Sequence, residues 1–189
     1  MPAYLAQFPR CGASRGLTLI ELMVGVAVLA VVMAVATPSY KQFGRTTRVL
    51  TQASELQNAM AYARSESLRR GVRVSVCRSA DPQAASPVCS GSGDWASGWI
   101  VFTDSGTTGT IDGSDVVLRA GNPATNSAVT AAGNLDAWVA FSPQGLALTK
   151  GSTGNAPASG SFGICQAPNG RRVAVSPVGV ITNIAEACT

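Results

Sequence analysis

From Leu17 to Ala36 the chain is an apolar run of 20 residues in which Glu21 is the only ionisable side chain. As a helix such a run would measure roughly 30 Å, enough to cross a hydrocarbon core, and it reads as a membrane span. A carboxylate within a span is disfavoured by about 2.5–3.5 kcal/mol at the centre and less near the interface, so Glu21 needs a partner or a purpose. A snorkelling carboxylate near the end of an ordinary anchor is the plainer reading. The flanks suggest another. Residues 1–16 form a short polar leader with Arg10 and Arg15, no acid, and Gly16 at its end; the run stops at Thr37 and Pro38. A cut after Gly16 would give Leu17 a free α-amine about one helical turn from Glu21. An ammonium and a carboxylate at low dielectric are far less costly together than apart, and the pair can form between adjacent copies in a bundle.

Gly16, then Leu17-Thr18-Leu19-Ile20-Glu21, then a long apolar helix with Pro38, resembles the class III signal of type IV prepilins and pseudopilins. The resemblance implies that a prepilin peptidase in the inner membrane cuts between Gly16 and Leu17 and methylates the new amine. It also implies that Glu21 recruits and registers the subunit by neutralising a neighbour's terminal amine in the filament. Leu17 departs from the Phe or Met that most members carry there. The rival is a conventional secretory signal, since Ala34-Val35-Ala36 fits the small-residue pattern before signal-peptidase cleavage. Against it, the apolar region exceeds the usual h-region of about 7–15 residues and contains Glu21. Arg10 and Arg15 are matched across the run by Lys41, Arg45 and Arg48, so charge leaves orientation open and only the family pattern puts the leader in the cytoplasm.

Removing residues 1–16 from the 189 leaves 173, enough beyond about Ala53 for one compact domain with a core. The leader takes two of the 14 basic residues and none of the 10 acidic ones, so the mature side chains carry a net charge of only +2. That does not mark a nucleic-acid binder. Cys11 lies in the leader, leaving Cys77, Cys89, Cys165 and Cys188. An even count behind an export signal suggests disulfides in an oxidising compartment. Three pairings are open, with buried free thiols as the alternative. Cys77 with Cys89 and Cys165 with Cys188 is preferred because each closes a local loop. The chain has no histidine, which excludes Ser-His-Asp, Cys-His and His-containing zinc sites. We expect no enzyme activity and no cofactor.

Beyond Pro38, Val49, Ala53, Leu56, Met60 and Ala63 recur at helical spacing, and no Gly or Pro intervenes between Arg45 and Arg70. One long helix, bent or loosened at Pro38 and stopped at Gly71, therefore has a membrane half over 17–38 and an amphipathic half over 39–70. Lys41, Arg45 and Arg48 form a basic stripe suited to anionic headgroups or to plain solvation. Arg64, Arg69, Arg70 and Arg73 cluster near the helix end, where Glu66 can pair with Arg70. From Gly71 the period becomes two, and Val72, Val74 and Val76 predict a half-buried strand. A Ser/Gly/Pro-rich loop to Gly98 holds the first cysteine pair. GWIVFTD (98–104) and DVVLR (115–119) predict a hairpin. AFSPQGLALT (140–149) and AVSPVGVITN (174–183) predict two more, each turning on Ser-Pro-x-Gly.

GWIVFTD, Asp112-Gly113-Ser114-Asp115 with Val-Val-Leu-Arg, and FSPQG resemble the C-terminal domain of minor pilins of the FimT/FimU type and their GspH-type relatives in type II secretion. The fold so implied is α+β and type IV pilin-like: a long N-terminal helix packed on an antiparallel β-rich head over 71–189. Asp104, Asp112 and Asp115 admit a calcium site, though Asp-Gly is a common turn former and the EF-hand pattern is absent. Arg171 and Arg172 follow a Pro-Asn-Gly turn and are candidate DNA contacts. DNA-binding minor pilins resembling FimT carry Gly-Arg-x-Arg in this region; here Gly170-Arg171-Arg172-Val173 lacks the final Arg. The expected protein is a minor pilin that assembles through its helix and helps to prime or cap a type IV pilus. Its expected partners are other minor pilins, the major pilin, the prepilin peptidase and inner-membrane lipids. It would sit in the inner membrane as a single-pass subunit with a periplasmic head, then in the filament at the cell surface. A type II secretion pseudopilin and a DNA receptor for transformation are the alternatives.

Overall fold

The computed structural model describes residues 16–91, 94–122, 124, 126–151 and 154–188, with the backbone alone at 35–39, 41, 151 and 154. Leader residues 1–15 and the Lys41 side chain of the basic stripe lie outside the described residues. The chain forms two compact units, Met1–Gln42 and Phe43–Thr189. The amphipathic helix half, expected from residue 39, thus belongs with the head from Phe43.

Helix α1 spans Leu19–Arg70, 52 residues, and its helical pattern continues through position 38, where the sequence predicts a bend or loosening. In the first unit its large apolar side chains from Leu19 to Met33 are 56–77% exposed, so none finds cover within its own unit. Among the described residues no helix is long and apolar enough to cross a membrane.

In the second unit, Val49, Ala53, Leu56, Met60 and Ala63, the stripe set by helical spacing, are all buried, with Ala59 beside them. The helix ends where Gly71 takes φ +68°, and the Gly71 N–H donates to the Ser67 carbonyl at 3.0 Å. Among the described residues ten strands follow: β1 Val74–Arg78, β2 Trp99–Thr103, β3 Val117–Ala120, β4 Ala128–Gly133, β5 Trp138–Phe141, β6 Ala147–Gly151, β7 Gly154–Pro157, β8 Gly160–Gln166, β9 Asn169–Val175 and β10 Ile181–Ala187. They form two antiparallel sheets, ordered β3-β2-β1-β5-β6-β7 and β10-β9-β8-β4. The α1 stripe joins one core with Val74, Val76, Val139 and Phe141 of the larger sheet and with Phe162, Ile164 and Val173 of the smaller.

The sequence predicts a half-buried β1, whereas all five of its residues are buried. Val74 and Val76 face the α1 core, while Cys77 packs with Ile100, Phe102, Trp138 and Ala140, against Cys89 and Ile111 from loops. The larger sheet is therefore covered on both faces, by the helix and by its own loops. The three predicted hairpins form as β2–β3, β5–β6 and β9–β10. Strands β4 and β7 and the start of β8 carry no strand signal, because Ala-Val-Thr-Ala-Ala-Gly, Gly-Asn-Ala-Pro and Gly-Ser-Phe-Gly read as loop composition. Close backbone approach explains one of those glycines: a Cβ on Gly160 would stand 2.2 Å from the Ala132 carbonyl oxygen.

Candidate assembly site

The start of α1 is a closed hydrogen-bond circuit. The Thr18 N–H and hydroxyl both donate to Glu21 Oε2, each at 3.3 Å, and the Glu21 N–H donates back to Thr18 Oγ1 at 3.3 Å. The Thr18 carbonyl accepts the first helical bond, from Leu22 N–H at 3.2 Å. Thr18 is thus the N-cap and Glu21 the reciprocating third residue of a capping box. Gly16 and Leu17 lie outside the helix, and Leu17 is 80% exposed. The pattern Thr-x-x-Glu before an apolar run signals this arrangement, a local role for Glu21 beside the amine partner and the snorkelling carboxylate that the sequence suggests.

At the other end of the helix, Glu66 accepts from Arg69 Nε at 3.0 Å, from Arg69 Nη2 at 2.6 Å, and from Arg70 Nε. These hydrogen bonds, Arg69's first, lower the Glu66 carboxyl from 4.5 to about 2, and the Glu66 carboxylate in turn raises Arg69. Arg64 reaches across to both Ser-Pro-x-Gly turns: its Nε donates to the Gly145 carbonyl and its Nη2 to the Val178 carbonyl, each at 3.2 Å. The two turns share one geometry. Gly145 N–H donates to Ser142 at 2.8 Å and Gly179 N–H to Ser176 at 2.9 Å, with φ +78° and +74° at the glycines. Each is a four-residue turn closed by a left-handed glycine.

The three aspartates weighed for calcium organise loops. Buried Asp104 accepts from Arg73 Nη2 at 3.0 Å, from Gly109 N–H at 2.8 Å and from the Ser75 hydroxyl. Asp112 accepts from Thr107 N–H at 3.0 Å, and Asp115 from Ser105 N–H at 2.8 Å. Among the described residues no group of three or more His, Cys, Asp or Glu could hold a metal ion. The cysteines pair as Cys77–Cys89 and Cys165–Cys188, with Cα separations of 5.6 and 5.7 Å, the local-loop connectivity. Arg78, which the sequence did not single out, closes the first loop by donating to the Ser90, Gly91 and Asp136 carbonyls.

Arg171 and Arg172 are neighbours within β9 and so point to opposite faces. Arg171 donates to Asn183 Oδ1 at 2.7 Å, and the Asn183 amide donates to Gln57 of α1 at 3.1 Å. Arg172 is held by Glu186 on the outer face. The structure does not bring the two guanidiniums together for one phosphate.

The family model described as Type II transport protein GspH matches residues 52–179, which take in the helix stripe from Ala53 and the strands β1 to β9. The chain belongs to the GspH family. The Prokaryotic N-terminal methylation motif also matches this GspH-family chain at residues 12–37, which include Gly16, Leu17 and Glu21. Two solved structures share its fold, both of the Pseudomonas aeruginosa PAO1 type IV minor pilin FimU. In one crystal form the identity is 21%, with 78% of this chain and 99% of that one covered at a TM-score of 0.52. In the other it is 20%, with 74% and 99% covered at 0.50. No curated protein matches significantly. The GspH-family fold is thus the expected one, an N-terminal helix against an antiparallel β head.

Proposed function

We propose that this chain is a minor pilin subunit of a type IV pilus. On this reading it is structural rather than catalytic, is anchored by residues 17–36 in the inner membrane before assembly, and enters the filament by that helix. The carrying observation is a helix that starts on a capped carboxylate, exposes apolar residues on every side, and becomes the core of a β head in its second half. In this reading the prepilin peptidase frees the Leu17 amine, and Glu21 neutralises such an amine on a neighbour. Oε2 of Glu21 holds the cap, which leaves Oε1 for that contact. Helping to prime or cap filament growth together with other minor pilins is the finer role. A type II secretion pseudopilin is the second reading, favoured by the matched family's description.

Two Glu21 substitutions test this, because they separate charge from capping. Gln keeps an acceptor for the capping box, whereas Ala removes both acceptor and charge. If Glu21 serves a neighbouring amine, both variants should insert into the inner membrane at or above the normal level and both should be missing from sheared filaments. Normal filament incorporation of Glu21→Gln would reduce Glu21 to a helix cap and overturn the pairing role. Mass spectrometry of the extracted protein should show a methylated Leu17; a chain beginning at Thr37 would sink the pilin reading.

A further inference from the structure

The two Ser-Pro-x-Gly turns lie against one another in the second unit. The Ala147 N–H donates to the Pro177 carbonyl at 2.9 Å, and a Cβ on Gly179 would stand 2.2 Å from the Gly145 carbonyl oxygen. Arg64 ties both to α1, and Leu68, one turn further on, lies beside Gly145. Around this junction Leu68 is 53% exposed, Leu146 47%, Val178 59% and Val180 50%. Four large aliphatic side chains from three separate segments thus make a fixed apolar patch. Its conformation is set in advance by Arg64 and the two left-handed glycines, so little ordering remains to be done on contact.

The charge beside the patch is one-sided. In the same last turn as Leu68, the Arg69 side chain is 65% exposed and Arg70 35%, while Glu66, the carboxylate between them, is only 9% exposed. An aliphatic centre with a basic rim fits an aliphatic surface flanked by carboxylates. A two-fold contact with a second copy would instead set these arginines against themselves.

We propose that this patch docks the head of a different pilin-class subunit, one that presents an aliphatic surface flanked by carboxylates. The proposal rests on the filament reading above, and its test keeps the two apart. The full chain, produced in cells that carry the filament genes, would receive p-benzoylphenylalanine in place of Val178 or, separately, of Leu29 in the apolar helix. After irradiation the adducts are identified by mass spectrometry. Val178 should capture one chain of different sequence whose precursor carries a prepilin-type leader. Arg69→Gln, which keeps a hydrogen-bonding side chain without the charge, should cut that yield about threefold or more and leave the Leu29 adduct unchanged. Capture by Val178 of only a second copy, no Val178 adduct while Leu29 still crosslinks, or a yield indifferent to Arg69→Gln would overturn the docking surface while leaving the filament reading in place. Silence at both positions would remove the filament reading and the docking surface with it.

Discussion

Glu66 shows how one carboxylate at a helix end ties acid stability to local geometry. Its folded-state value of about 2 lies below the ordinary 4.5, so its contribution is present above about pH 4.5 and is lost as pH falls towards 2. Urea midpoints of the full chain in detergent should therefore drop across that window, and Glu66→Gln should flatten that part of the profile. A variant with an unchanged acid slope would show that Glu66 is not its source. The helix-end arginines were visible in the sequence, but their division of labour was not. Arg69 and Arg70 pair with Glu66 on the same helix, as the spacing allows for Arg70, whereas Arg64 reaches carbonyls of distant turns and Arg73 reaches Asp104, where loops arrive. Those loops join the helix from up to 114 residues away, a separation that no local pattern records.

Strand β10 is an edge strand, paired only with β9 and followed at once by the Cys165–Cys188 link to β8. Replacing both cysteines by Ala should lower unfolding free energy by about 2–5 kcal/mol. The loss should be uneven: hydrogen exchange should speed up first in β10 amides and least in β1, which has partners on both sides. Uniform acceleration throughout the head would mean that the link acts on the unfolded chain and not on the edge. At this scale legibility followed side-chain size. The Val49–Ala63 stripe and the Ser-Pro-x-Gly hairpins carried strong periodic or turn signals and formed as expected. Strands β4 and β7 and the start of β8 did not, because small residues give no alternation; at Gly133 and Gly160 the neighbouring backbone leaves no room for a Cβ. The β1 pattern misled for the opposite reason: Ser75 looks like a solvent-facing position, yet its hydroxyl is taken by buried Asp104 beneath the loops.

Across the whole molecule, α1 serves both sheets of the second unit through one apolar cluster, with another on the far face of the larger sheet, and its alanines at 53, 59 and 63 are fully buried. Ala59→Leu should overpack that seam and destabilise the unit by roughly 1–3 kcal/mol, with both sheets melting in one shifted transition. Separate transitions for β1 and β9 probes would show that the sheets are held independently. At the other end, the capping box gives maturation an unusual economy. Because Thr18 and Glu21 close the helix start between themselves, a cut after Gly16 falls outside every hydrogen bond of that circuit. If the chain is processed there, as proposed above, the capping-box bonds need not change, and the cut would add one positive charge about a helical turn from the Glu21 carboxylate. On the filament reading, peptidase action would change an electrostatic label at the helix start and leave its capping bonds as they are.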